Sequence, residues 1–180
     1  MQAALALMRG IDAINDRIGR AIYWLILVTV LISSGNAVMR YGFNISSNAW
    51  LEIQWYLFSA IFLLGAGYAM LKNAHVRIDL VSSRFSHTTN AWVDVVGFVA
   101  FVIPMCLVFM SFGWDMFWTS WTSNERSLNA GGLILWPVKI LVPIGFILLL
   151  AQSISELIKR IGYLRGQYDW SPHGSAPAIE

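Results

Sequence analysis

Four stretches of this chain, residues 21–39, 51–71, 92–114 and 133–160, are almost wholly apolar, and they decide what it can fold into. Each is about as long as the ~20 residues that an α-helix needs to cross the hydrocarbon of a bilayer. The few ionisable residues stand at or near their ends: Arg20 and Arg40, Glu52 and Lys72, Asp94 and Asp115, and Lys139. None of the stretches alternates apolar and polar residues with period two, which argues against a membrane β-barrel. Only 12% of residues are charged, against about 25% in a soluble domain, so lipid must cover much of the surface. The expected fold is all-α, an integral membrane four-helix bundle over residues 21–165.

Lysines and arginines give the direction of insertion. Nine lie before span one, between spans two and three, or after span four: Arg9, Arg17, Arg20, Lys72, Arg77, Arg84, Lys159, Arg160 and Arg165. The remaining loops hold three, Arg40, Arg126 and Lys139. This alternation is what an even number of spans with both termini cytoplasmic requires. Trp24, Trp50, Trp92, Trp114 and Trp136 fall near span ends, where an indole keeps its ring in lipid and its N–H in water. Span one is too long and lacks the cleavage site of a removable leader, so it reads as an anchor.

The flanks differ from the spans. Over residues 1–20, Leu7, Ile11, Ile14 and Ile18 recur on one helical face, with Arg9, Asp12, Asp16 and Arg20 on the other. That pattern predicts an amphipathic helix lying in the cytoplasmic interface, or else packed on the bundle. Residues 166–180, with Pro172, Gly174 and Pro177, predict a disordered tail.

Catalytic readings find little support. An ionisable residue at mid-membrane would mark a transport or proton path, yet the deep positions offer only Ser33, Ser34, Asn36, Ser59, Tyr68 and Ser111. Bundle-haem ligation needs histidines within the spans, whereas His75, His87 and His173 lie outside them. The single cysteine, Cys106, permits neither a disulfide nor a cysteine-rich metal site. No enzyme activity, metal or cofactor is expected. Gly65 and Ala69 form a small-xxx-small pair that lets another helix approach. Pro104 removes the hydrogen bond to the Ala100 carbonyl and should bend helix three.

From Trp50 and Glu52 through Phe58, the run Phe62-Leu63-Leu64-Gly65-Ala66-Gly67-Tyr68 and the loop His75-Val76-Arg77-Ile78-Asp79, the chain resembles the DctQ-type small membrane subunit of tripartite ATP-independent periplasmic (TRAP) transporters. The segment Ser123–Ser127, with Gly131-Gly132 and Trp136-Pro137, resembles the branch linked to carboxylates and keto acids. The resemblance implies a small scaffold subunit in a bacterial inner membrane. Its partners would be a large sodium-coupled elevator subunit, a soluble periplasmic binding protein and membrane lipids, with no nucleic acid. The solute would be an organic anion such as a carboxylate, keto acid or sugar acid. Trp50, Glu52, Gly65, Ala69, His75, Arg77 and Asp79 become interface or structural candidates, with Glu52 expected to pair with a partner's cation. Asn124, Glu125 and Arg126 become candidates for periplasmic docking. The alternative reading is a cofactor-free membrane anchor for a redox complex.

The charge asymmetry makes a direct prediction. With Cys106→Ser as background, single cysteines placed at Asn44 and Ser127 should react with an impermeant thiol reagent from outside, and one at Ser86 should not. Strong outside labelling at Ser86 would reverse the topology.

Overall fold

The computed structural model describes residues 2–45, 47–73 and 85–167, with the side chains of residues 2 and 3 left aside. Every regular element among them is a helix. We label them α1 (Gln2–Gly42), α2 (Asn48–Leu71), α3 (His87–Thr122) and α4 (Trp136–Leu164), and each is long and apolar enough to cross a membrane. The loop holding His75, Arg77 and Asp79 lies outside the described residues, as does the tail from residue 168 onward.

No break in the helix falls between residues 2–20 and span one: α1 runs unbroken for 41 residues. No proline interrupts it, and its glycines weaken a helix by about 1 kcal/mol each without stopping it. At ~1.5 Å per residue it is about 60 Å long. Its first turns pack on the bundle with Asp12, Asn15 and Asp16 turned towards α4 and α2. Leu7 and Ile14 face outward.

Elsewhere the breaks follow from proline chemistry. Ser86 caps α3, its hydroxyl accepting the Thr89 N–H at 3.2 Å. Pro104 has no N–H for the Ala100 carbonyl, and its ring would press on it. The helix answers with a π-helical turn over Phe98–Val102, where the Ile103 N–H reaches back to the Phe98 carbonyl. In α4, Pro143 leaves the Lys139 carbonyl without its usual donor, and the helix pauses at Ile140 between Trp136–Lys139 and Leu141–Leu164.

The hub is α4, which touches α1, α2 and α3, while α3 is attached chiefly through α4. Glycines set the close approaches. A Cβ on Gly145 would stand 2.8 Å from the Leu63 carbonyl oxygen, and one on Gly113 2.9 Å from the Val142 side chain. Gly67 leaves room for the Asn15 carboxamide, and Gly19 for the Tyr68 ring. Phe109 stacks on Phe146 at 5.0 Å. Gly65, by contrast, meets only the Ile22 side chain at 3.5 Å, and Ala69 is half-buried.

Burial is inverted relative to a soluble protein. The buried side chains include Asn15, Glu52, Asn90, Gln152, Ser155, Glu156 and Arg160, whereas most large apolar side chains face outward. Lipid gives apolar residues no reason to turn inward, so small residues and hydrogen bonds join the helices instead.

Gly145→Ala should therefore destabilise the bundle by about 1–3 kcal/mol, because a Cβ there meets backbone that cannot swing aside. Gly10→Ala, where a Cβ meets nothing within 4 Å, should be neutral or slightly stabilising. Thermal unfolding of the purified chain in detergent measures both, and equal melting of the two variants would remove the tight α2–α4 seam from the account.

Candidate functional site

Two polar constellations stand at opposite ends of the bundle. The proximal end carries the start of α1, the start of α3 and the end of α4. There α4 presents Gln152, Ser155, Glu156, Lys159 and Arg160 at helical spacing, and each finds partners on other helices or one turn away. Arg160, only 1% exposed, donates from Nε to Asp94 of α3 at 2.9 Å and from Nη1 to the Glu156 carboxylate. Its guanidinium also lies 5.1 Å from the centroid of the Phe98 ring, at the π-helical turn. Lys159 bridges Asp12 of α1 at 2.8 Å and Glu156 at 2.6 Å. Gln152 donates to Asp12 at 2.9 Å and accepts from Asn15 Nδ2 at 2.9 Å, and Ser155 donates to Asp12 at 2.7 Å. Further out, Asp16 pairs with Lys72 at 3.1 Å and Arg20 at 2.7 Å.

This arrangement holds helices together and offers no open cation site. Its charges are satisfied by one another, and Gln152 reads the carboxylates with its amide nitrogen and Asn15 with its oxygen. Among the described residues no group of three or more His, Cys, Asp or Glu is disposed to hold a metal ion. The Glu156/Arg160 pair is visible in sequence as an i, i+4 ion pair. Asp12, Asn15, Asp94 and Gln152 are not, because their pairing depends on helix register.

The distal end is closed by the α3–α4 connection, residues 123–135, folded as a cap over the start of α2. Glu52, 7% exposed, lies beneath it. One carboxylate oxygen accepts from the Ser127 hydroxyl and from Asn129 Nδ2 at 2.8 Å. The other accepts the Leu133 N–H at 2.7 Å. Asn48 donates to the Ala130 carbonyl at 3.2 Å and Tyr56 to the Ile134 carbonyl at 2.9 Å. Arg126 and Ile134 form an isolated antiparallel bridge, and the Leu135 N–H reaches the Glu125 carbonyl at 3.0 Å. Two glycines permit the turn: Gly131 has φ +72°, and a Cβ on Gly132 would press on Ser127 and the Asn129 carbonyl.

The candidate residues thus occupy different settings. Glu52, read from sequence as the partner of an outside cation, takes its donors from within the chain. Trp50 is exposed and lines, with Leu31, Asn36 and Met39, a groove of about 470 Å³ between α1 and α2. Asn124 takes a left-handed φ of 48° and Arg126 is exposed. Glu125 pairs with Lys139 at the start of α4. That ammonium holds the Glu125 carboxyl below its ordinary value of 4.5. The pair therefore contributes fully above that pH and is lost as pH falls through the lowered value. Ser127, half-buried on Glu52, is a poorer position for a thiol label than its exposed neighbour Asn124.

Arg160→Met should cost about 3–5 kcal/mol, because it removes the cation that Asp94 faces across the α3–α4 seam and leaves Glu156 with Lys159 alone. Adding Asp94→Asn to it should recover much of that loss, since the charge that faced Arg160 is then gone, while Glu156 keeps Lys159. Unfolding in detergent reads both, and a single variant melting with wild type would show that the pairing does not hold α3 to α4.

The family model described as "Tripartite ATP-independent periplasmic transporters, DctQ component" matches residues 29–162. No curated protein and no solved structure matches the chain.

Proposed function

Because the chain belongs to the DctQ family, and is therefore a small membrane component of a tripartite ATP-independent periplasmic transporter, we propose that it acts as the scaffold that braces the large membrane subunit and helps dock the soluble binding protein. The transporter is then a secondary one in a bacterial inner membrane, driven by sodium through the large subunit and serving an organic anion such as a carboxylate, keto acid or sugar acid. The proximal end lies in the cytoplasm and the cap in the periplasm, as the lysine and arginine distribution favours.

The observation that carries this reading is the inverted burial. Polar groups are drawn inward to join helices, and apolar side chains cover the outside. A carrier must offer its solute a polar site near mid-membrane with alternating access. Here the proximal and distal constellations, which reach from the helix ends as far as Gln152 at the middle of α4, consist of groups that bond to each other. The outward face suits lipid and another apolar helix, with Trp55, Phe58 and Phe62 of α2 and Phe101 and Phe112 of α3 all strongly exposed. The candidates Asn124 and Arg126 stand on the cap, where a soluble partner can reach them.

Liposomes with an inward sodium gradient and the binding protein test the assignment, with radiolabelled dicarboxylates, keto acids and sugar acids offered in turn. This chain alone should give no uptake above empty vesicles. Uptake of one class should appear when the large subunit is added. Uptake or counterflow by this chain alone would make it a carrier and overturn the scaffold role.

A further inference from the structure

Leu128 is the most exposed large apolar side chain among the described residues, at 105% of its reference area. A single exposed leucine is ordinary. What sets this one apart is that the buried Glu52 carboxylate grips the residues on both sides of it. Ser127 donates to Glu52 through its hydroxyl and Asn129 through its carboxamide at 2.8 Å. The Asn129 N–H also bonds Ser127 Oγ at 3.3 Å, and the Gly132 N–H returns to the Asn129 carbonyl at 2.9 Å. With the polar ends of the Ser127 and Asn129 side chains held on Glu52, the side chain between them stands outward. Its exposed neighbours Asn124, Arg126 and Asn129 are polar, so the surround suits a soluble protein better than lipid.

The geometry points to Leu128 as the anchor by which the cap engages the soluble binding protein, and to Glu52 as the positioning residue that presents it. The inference rests on the docking role proposed above. Interfaces concentrate their energy in a few buried anchors surrounded by weaker polar contacts. An anchor already fixed before contact loses little freedom on binding. Glu52 supplies that fixing from below the surface, with Leu133, Tyr56 and Asn48 holding the rest of the turn. The partner should offer an apolar socket with a polar rim.

The test uses this chain with its large subunit in nanodiscs, titrated with the binding protein. Leu128→Ala should raise Kd about tenfold. Glu52→Gln should do so by a similar factor, and the double variant should be no worse than either, because both remove one presented side chain. A nitroxide on Leu128→Cys in the Cys106→Ser background reads positioning without the partner. Its spectrum should be that of a restrained label, becoming mobile with Glu52→Gln and with Asn129→Ala, which keeps the carboxylate if the first variant fails to assemble. A label equally restrained in every variant would overturn the positioning role. Binding untouched by Leu128→Ala but weakened by Arg126→Glu would overturn the anchor and leave docking standing. Binding untouched by both would instead bring down the docking role itself. Loss of the large subunit on Leu128→Ala would place the socket there and overturn the assignment to the binding protein.

Discussion

Arg160, buried between Asp94 and Glu156, is the contact on which the arrangement of the helices turns. In water a buried ion pair does little for stability, because the charges give up strong hydration. Buried between packed helices, each charge is cut off from that hydration, and satisfying one another becomes the condition for being there at all. Arg160 meets that condition by tying α3 to α4, and Lys159, one residue back, ties α4 to α1 through Asp12. Consecutive residues on the hub helix thus point to different neighbours. The glycines at 67, 113 and 145 then let the backbones close in along the directions these charges select.

The two ends solve the problem differently. At the proximal end, charge meets charge between long helices. At the distal end the buried carboxylate, Glu52, is met by neutral donors from a loop: a hydroxyl, a carboxamide and a backbone N–H. The loop has no helix to hold its shape, and its own backbone bonds, Ser127 to Leu133, Gly132 to Asn129 and Leu135 to Glu125, tie it only to itself. A carboxylate with two oxygens facing three donors spread over residues 127–133 replaces the missing regularity. The short bridge between Arg126 and Ile134 is what remains of sheet-like pairing there.

How much of this was legible in the sequence depends on whether a feature is local. The four spans were, because length and hydropathy belong to each segment alone. The extent of the first helix was not, because the apolar stretch 21–39 marks hydrocarbon, whereas a helix runs on until something breaks it, and nothing does between Gln2 and Gly42. The break near Pro104 could be anticipated from its missing N–H, though its form as a π-helical turn could not. Glu156 and Arg160 announce each other at four residues' separation. Asp94 and Arg160 are 66 residues apart, and only the register of two packed helices brings them together. Rotation is hidden in the same way: Gly65 and Gly67 stand two residues apart, about 200° around the helix, and it is Gly67 that faces the Asn15 side chain. The cap residues 124–126 could be picked out as polar, but Glu52 as their support could not, since its donors come from 75 to 81 residues further on.

The position of the hub in the chain bears on how the protein is made. Synthesis delivers the N-terminal elements first, so α1, α2 and α3 enter the membrane before α4 exists. During that interval Asp12 and Asp94 have no Lys159 or Arg160, and α3 lacks the helix through which it is chiefly attached. Glu52 has Ser127 and Asn129 within reach only after α3 is finished. The last helix therefore arrives as a keystone, and biogenesis has a stage at which acidic residues wait in or beside the membrane for cations still to be translated. That stage is where insertion machinery or a membrane chaperone would have to shelter them.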